Sequence, residues 1–191
     1  ALTFAKTAVW NEAETATQEA FAELRELLGE ECDDLHLPEP FDQAVEMHRN
    51  IMYADLAKSF AGYYRRGKDK LTESLCKMIE EGQEVSAVEY NTAVDQRAFL
   101  NQGLNGVFDR YDAILTPATV GEAPIGLDST GSPIFNSLWT YCGTPAITLP
   151  LMKGPSGLPL GVQLIGRRGD DARLLRTARW LVHRVTNEER D

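Results

Sequence analysis

Cationic side chains, cysteine and long apolar runs are all scarce in this sequence of 191 residues. The 19 Lys and Arg stand against 29 Asp and Glu, a formal charge of -10. So acidic a chain repels phosphate backbones, and the one basic stripe, Arg173, Arg176 and Arg179, reads as a solvated helix face, so no nucleic-acid partner is expected. No apolar run approaches the roughly 20 residues that span a bilayer, and no charged-then-apolar leader opens the chain, so no membrane partner is expected either. The cysteines Cys32, Cys76 and Cys142 are odd in number and widely separated, with no C-x-x-C pair. They read as ordinary thiols of a reducing cytoplasm.

Catalytic motifs are equally sparse. There is no Gly-x-Ser-x-Gly elbow, and His36, His48 and His183 fall on different predicted elements. No His pair has metal-ligand spacing, and the acidic pairs Asp33-Asp34, Glu80-Glu81 and Asp170-Asp171 are adjacent rather than co-facial. Gly161, Gly166 and Gly169 do not make a dinucleotide fingerprint. No metal, no organic cofactor and no catalytic residue is therefore assigned. Lys153 and Ser156, three apart, are a formal base and nucleophile, but a Gly-Pro-Ser-Gly turn explains both without chemistry.

What is present is clear α/β patterning. Residues 2–9 predict a strand, Asn11 an N-cap with Glu14 as its capping-box partner, and Ala16, Ala20, Phe21, Leu24, Leu27 and Leu28 a helix closed by Gly29. Leu35 and Leu37 mark a second strand, so the opening is a β-α-β unit. Residues 41–110 predict an all-helical middle: a first helix broken at Tyr63-Tyr64-Arg65-Arg66-Gly67, a second ended by Gly82, and a third opened by a Ser86/Glu89 capping box. Beyond it come a buried strand at Ala113-Ile-Leu-Thr116 stopped by Pro117, a Gly- and Pro-rich loop over 118–133, and a short helix over 135–142. A hairpin of Ala146-Ile-Thr-Leu149 with Leu160-Gly-Val-Gln-Leu-Ile165 follows, then a last helix with Leu174, Leu175, Ala178, Leu181, Val182 and Val185 on its buried side.

A long loop without regular structure, anchored by strands and flanked by aromatics, reads as a substrate pocket rather than a catalytic centre. Thr116, Pro117, Asn136, Trp139 and Tyr141 are its candidate substrate-binding residues. The competing reading of Trp139 is a plug beneath the sheet.

Asp112-Ala-Ile-Leu-Thr-Pro117, Ala123-Pro124, Thr130-Gly131, Phe135-Asn136-x-x-Trp139-Thr140, Gly143-x-Pro145-Ala146-Ile147-x-x-Pro150 and Gly157-Leu158-Pro159-x-Gly161-Val162-Gln163-Leu164-Ile165-Gly166 resemble, in order, the C-terminal part of the amidase-signature family. The resemblance implies an α/β/α sandwich around a mixed sheet, and amide hydrolysis or transfer through a Lys-Ser-Ser triad. In that family the triad and its Gly- and Ser-rich loop lie in the first half of the polypeptide, and none of them is found here. The Trp-Thr-x-x-Gly-x-Pro-Ala form is more similar to general amide hydrolases than to tRNA-dependent amidotransferase subunits. The expectation is one incomplete domain over 1–191, the C-terminal portion of an amidase. It would act on a small-molecule amide with the missing N-terminal half of the same enzyme and, alone, be inactive and self-associating as a homo-oligomer. The rival expectation is a naturally short, catalytically dead amidase-like binding module.

Overall fold

A computed structural model describes residues 1–188, with side chains to Thr186. Its frame is a mixed five-stranded sheet of β1 (Leu2–Ala5), β2 (Cys32–Leu35), β3 (Ala113–Pro117), β4 (Ala146–Lys153) and β5 (Pro159–Ile165), in the order β2-β1-β3-β5-β4. β1 pairs in parallel with β2 and with β3, while β5 runs antiparallel to β3 and to β4. Among the described residues six α-helices complete it: α1 (Thr15–Leu28), α2 (Ala44–Gly67), α3 (Glu73–Glu84), α4 (Ala87–Phe108), α5 (Ile134–Cys142) and α6 (Asp171–Glu188).

Strand alternation sends successive side chains to opposite faces, and each face carries its own core. Leu2, Phe4, Leu115, Val162 and Leu164 meet Phe21, Leu24 and Leu28 of α1 and Leu174, Ala178 and Leu181 of α6. On the other face Ala5, Ile114 and Ile165 meet Ala44 of α2, Leu100 and Leu104 of α4, and Leu138, Trp139 and Tyr141 of α5. The result is the α/β/α sandwich that the motifs imply.

Several local expectations are corrected. β1 stops at Ala5, and Trp10–Glu12 forms a 3-10 turn, so Asn11 caps nothing and α1 begins at Thr15. The turn carries Trp10 back onto Phe4 and Phe21, with ring centroids 5.4 and 6.4 Å away, and that aromatic packing outweighs the capping signal. Tyr63 to Gly67 do not break α2, because none of these residues is a proline and the i to i-4 ladder continues through them. Gly82 lies inside α3 rather than at its end. A Cβ there would stand 2.0 Å from the Tyr53 carbonyl oxygen, so glycine lets α3 close onto α2. Leu175 is 58% exposed, one residue round the helix from buried Leu174.

Candidate functional site

β3 delivers Thr116 and Pro117 at its carboxyl end, the end at which open α/β sheets present ligands. Residues 118–133 follow as a strap without helix or strand, tied down near its start. The Ala118 N–H donates to the Gly161 carbonyl at 3.0 Å, and the Val120 carbonyl accepts from the Glu14 N–H at 2.8 Å and from the Thr17 hydroxyl at 3.0 Å. The Glu122 carboxylate accepts from the backbone N–H groups of Ser156 and Leu158, at 3.1 and 3.0 Å, which fastens the strap to the β4–β5 turn. Ile125 and Leu127 at its tip are fully exposed. Gly161 makes the close approach possible: a Cβ there would lie 2.8 Å from both the Ala118 and Thr148 side chains, too close without a shift of strap or strand.

Below the strap a polar row runs across β3, β5 and β4. Thr116 on β3 is the register partner of Gln163 on β5, which also faces Thr148 on β4. Asn136, in the first turn of α5, reaches down to this row. Its Nδ2 donates to the Ala118 carbonyl at 3.1 Å, and its Oδ1 accepts from Gln163 Nε2 at 2.6 Å. Thr116 and Gln163 are buried, yet Thr116 Oγ1 and Gln163 Oε1 find no hydrogen-bond partner among the described residues. Buried polar atoms are nearly always paired, so two orphans in one cross-strand pair mark a position with polar capacity to spare.

The five residues chosen from sequence therefore separate. Thr116 and Asn136 meet in the polar row. Pro117 follows Thr116 by one residue and lies on the opposite face, paired with Val162. Trp139 is 2% exposed and sits in the core between α5 and the sheet, its indole N–H unpartnered among the described residues. Tyr141 is also buried there, its hydroxyl donating to the Ala93 carbonyl of α4, and burial pushes its pKa up to about 12. Gln163 is missing from the residues that the sequence singles out for the pocket. Its signal was a lone amide among the apolar residues of Leu160-Gly-Val-Gln-Leu-Ile165, placed where period two turns it toward the Thr116 face.

Nucleophile chemistry finds little support nearby. Burial raises Cys142 to about 12 and Cys32 to about 11, so both stay protonated near neutral pH, and the thiol is the unreactive form. Lys153, at the end of β4, and Ser156, in the turn beyond it, stand exposed with no hydrogen bond between them among the described residues. Among those residues no group of three or more His, Cys, Asp and Glu is placed to hold a metal ion, and no helix is long and apolar enough to cross a membrane. A groove lined by Leu2, Glu31, Asp112, Arg176 and Trp180 lies at the amino ends of β1 and β3, the opposite end of these strands from Thr116.

Comparison with known proteins adds a family. Residues 2–175 match the family model described as Amidase. The chain is 40% identical over 98 residues to a glutamyl-tRNA(Gln) amidotransferase subunit of Cereibacter sphaeroides, an alignment taking 47% of this chain and 20% of that protein. It is 30% identical over 132 residues to the putative amidase AmiD of Mycobacterium tuberculosis, covering 64% of this chain and 28% of AmiD. A crystal structure of an amidase superposes with a TM-score of 0.85 at 20% identity, over 96% of this chain and 45% of the other, a likeness of fold. The chain thus matches less than half the length of these relatives.

Proposed function

The chain belongs to the amidase family, and from that premise we propose that it is the C-terminal portion of an enzyme hydrolysing the carbon–nitrogen bond of a small-molecule amide. The observation that carries the reading is a family match over residues 2–175 on a chain matching 45% of a solved relative's length, in a sequence without the Lys-Ser-Ser set. The chain supplies the sheet and one pocket wall, and the rest of the polypeptide supplies nucleophile, base and oxyanion donors.

In such a division the serine oxygen attacks the amide carbon, and its proton passes through the second serine to a neutral lysine. Backbone N–H groups hold the oxyanion, the amine leaves with a proton, and water releases the acid. This chain's part is to orient the acyl group. Thr116 and Asn136 are the polar contacts, Trp139 and Tyr141 brace α5 beneath them, and Pro117 ends β3 so that the strap can turn over the site. The orphaned Thr116 Oγ1 and half-buried Asn136 support these assignments. No metal or organic cofactor takes part in this scheme. Three buried, free thiols support a reducing compartment, and the proposed location is the cytoplasm.

A second reading, as part of an amidotransferase, is favoured by the 40% identity to the Cereibacter sphaeroides protein. The Trp139-Thr140-x-x-Gly143-x-Pro145-Ala146 form favours the hydrolase. The coding sequence preceding the Ala1 codon is the direct test. An open frame encoding a Lys and a Gly-Ser-Ser-Gly segment is expected. A start codon beside Ala1 would instead favour the short, catalytically dead binding module.

A further inference from the structure

The two side-chain amides over the sheet form a chain with a fixed direction. Its outer end is the Ala118 carbonyl, which can only accept. Asn136 turns Nδ2 toward it, at 3.1 Å, which leaves Oδ1 facing β5, where only a donor fits. Gln163 supplies that donor, Nε2 at 2.6 Å, and so must turn its own Oε1 the other way, where it is buried and unpartnered among the described residues. The Ala118 carbonyl on one side and the Gln163 donor on the other therefore hold the Asn136 amide between them.

The two amides differ in access. Gln163 is 4% exposed, whereas Asn136 is half-buried and reachable. Gln163 is thus placed to act on a bound molecule through Asn136 rather than by touching it. Asn136 has two Nδ2 hydrogens, of which Ala118 takes one.

We propose that Gln163 is a positioning residue. By donating to Asn136 Oδ1 it locks that amide so that the uncommitted Asn136 N–H faces the substrate site, where it selects acyl groups carrying a hydrogen-bond acceptor such as a carbonyl or ether oxygen. The inference rests on the reading of this chain as an amidase pocket wall.

The test uses the full amidase polypeptide that contains this chain and two isosteric amides, one with an oxygen in the acyl group and one with a methylene in its place. Gln163→Leu, Asn136→Ala and the double variant are compared by kcat/KM for both. Each single variant is expected to lower the preference for the oxygen-bearing amide by roughly three- to tenfold, the range of one net hydrogen bond. In the Asn136→Ala background, Gln163→Leu is expected to change the preference no further, because its effect runs through Asn136. Multiplying effects, or an unchanged preference in Gln163→Leu, overturn the proposal. A structure of the Gln163→Leu polypeptide gives a readout independent of turnover. Asn136 is expected to rotate or adopt several rotamers, and an Asn136 amide in its original orientation overturns the proposal. A polypeptide that hydrolyses no amide defeats the hydrolase reading instead, and the structure still decides whether Gln163 positions Asn136.

Discussion

Trp139 shows at the scale of one residue how burial assigns a role. The indole fills the space between α5 and the sheet, and truncation there leaves a cavity as well as losing transfer free energy. Trp139→Ala is expected to cost about 3–5 kcal/mol in chemical denaturation. Trp139→Phe removes an N–H that has no partner among the described residues and keeps most of the ring volume. It should cost less than about 1.5 kcal/mol. If Trp139→Ala leaves the denaturation midpoint unchanged, the side chain is not a brace for α5. In the proposed reading specificity belongs to the neighbouring polar row, where a single unpaired group discriminates more sharply than a methylene's worth of apolar contact.

Among the elements, α4 has the most completely defined start. The Ser86 hydroxyl accepts the Glu89 N–H at 3.1 Å, and the Glu89 carboxylate accepts the Ser86 N–H at 2.8 Å. Hydrogen bonds from Ser86, side chain first and backbone second, hold the Glu89 pKa below its ordinary 4.5. A group lowered in the folded state contributes stability above its unfolded pKa and loses it as the pH falls through the folded value. The thermal stability gap between the parent chain and Glu89→Gln is therefore expected to be present at pH 7 and to shrink as the pH falls below 4.5. A gap equally large in strong acid would contradict this. That capping box was legible from two residues because it is local chemistry, as were the β-α-β opening, the hairpin and α5. Non-local packing hid the rest. Nothing around Gly82 in sequence reveals the Tyr53 carbonyl it admits, and nothing near Asn11 reveals that Trp10 would fold back onto Phe4. The polar row proposed as the site was half legible for the same reason. Thr116 and Asn136 announce themselves beside a loop, but Gln163 gains its meaning from register with β3 and from the reach of α5, both set by the tertiary fold.

For the molecule as a whole, the two sheet edges differ. β2 is four residues long and carries Asp33 and Asp34, which are engaged by the Tyr111 hydroxyl and by Arg25. β4 is eight residues long, pairs among the described residues only with β5, and is uncharged as far as Lys153. Charge and short length protect an edge, and β4 has neither over Ala146–Leu149. The proposed arrangement has the remaining polypeptide adding to β4, and the isolated chain self-associating there as a homo-oligomer. Thr148→Lys, whose side chain is exposed on that strand, should shift the isolated chain toward monomer in sedimentation. A parent chain that is monomeric at high concentration would argue against an open β4 edge. In the proposed reading this chain is the substrate-orienting part of an amidase whose nucleophile lies elsewhere in the polypeptide. The most direct measurement is turnover of simple aliphatic and aromatic amides by the 191-residue chain, alone and joined to the polypeptide carrying the Lys and Gly-Ser-Ser-Gly segment. No turnover by the chain alone and hydrolysis by the joined polypeptide are expected. Turnover by the chain alone that Ser156→Ala abolishes would contradict it, as would a joined polypeptide that hydrolyses nothing.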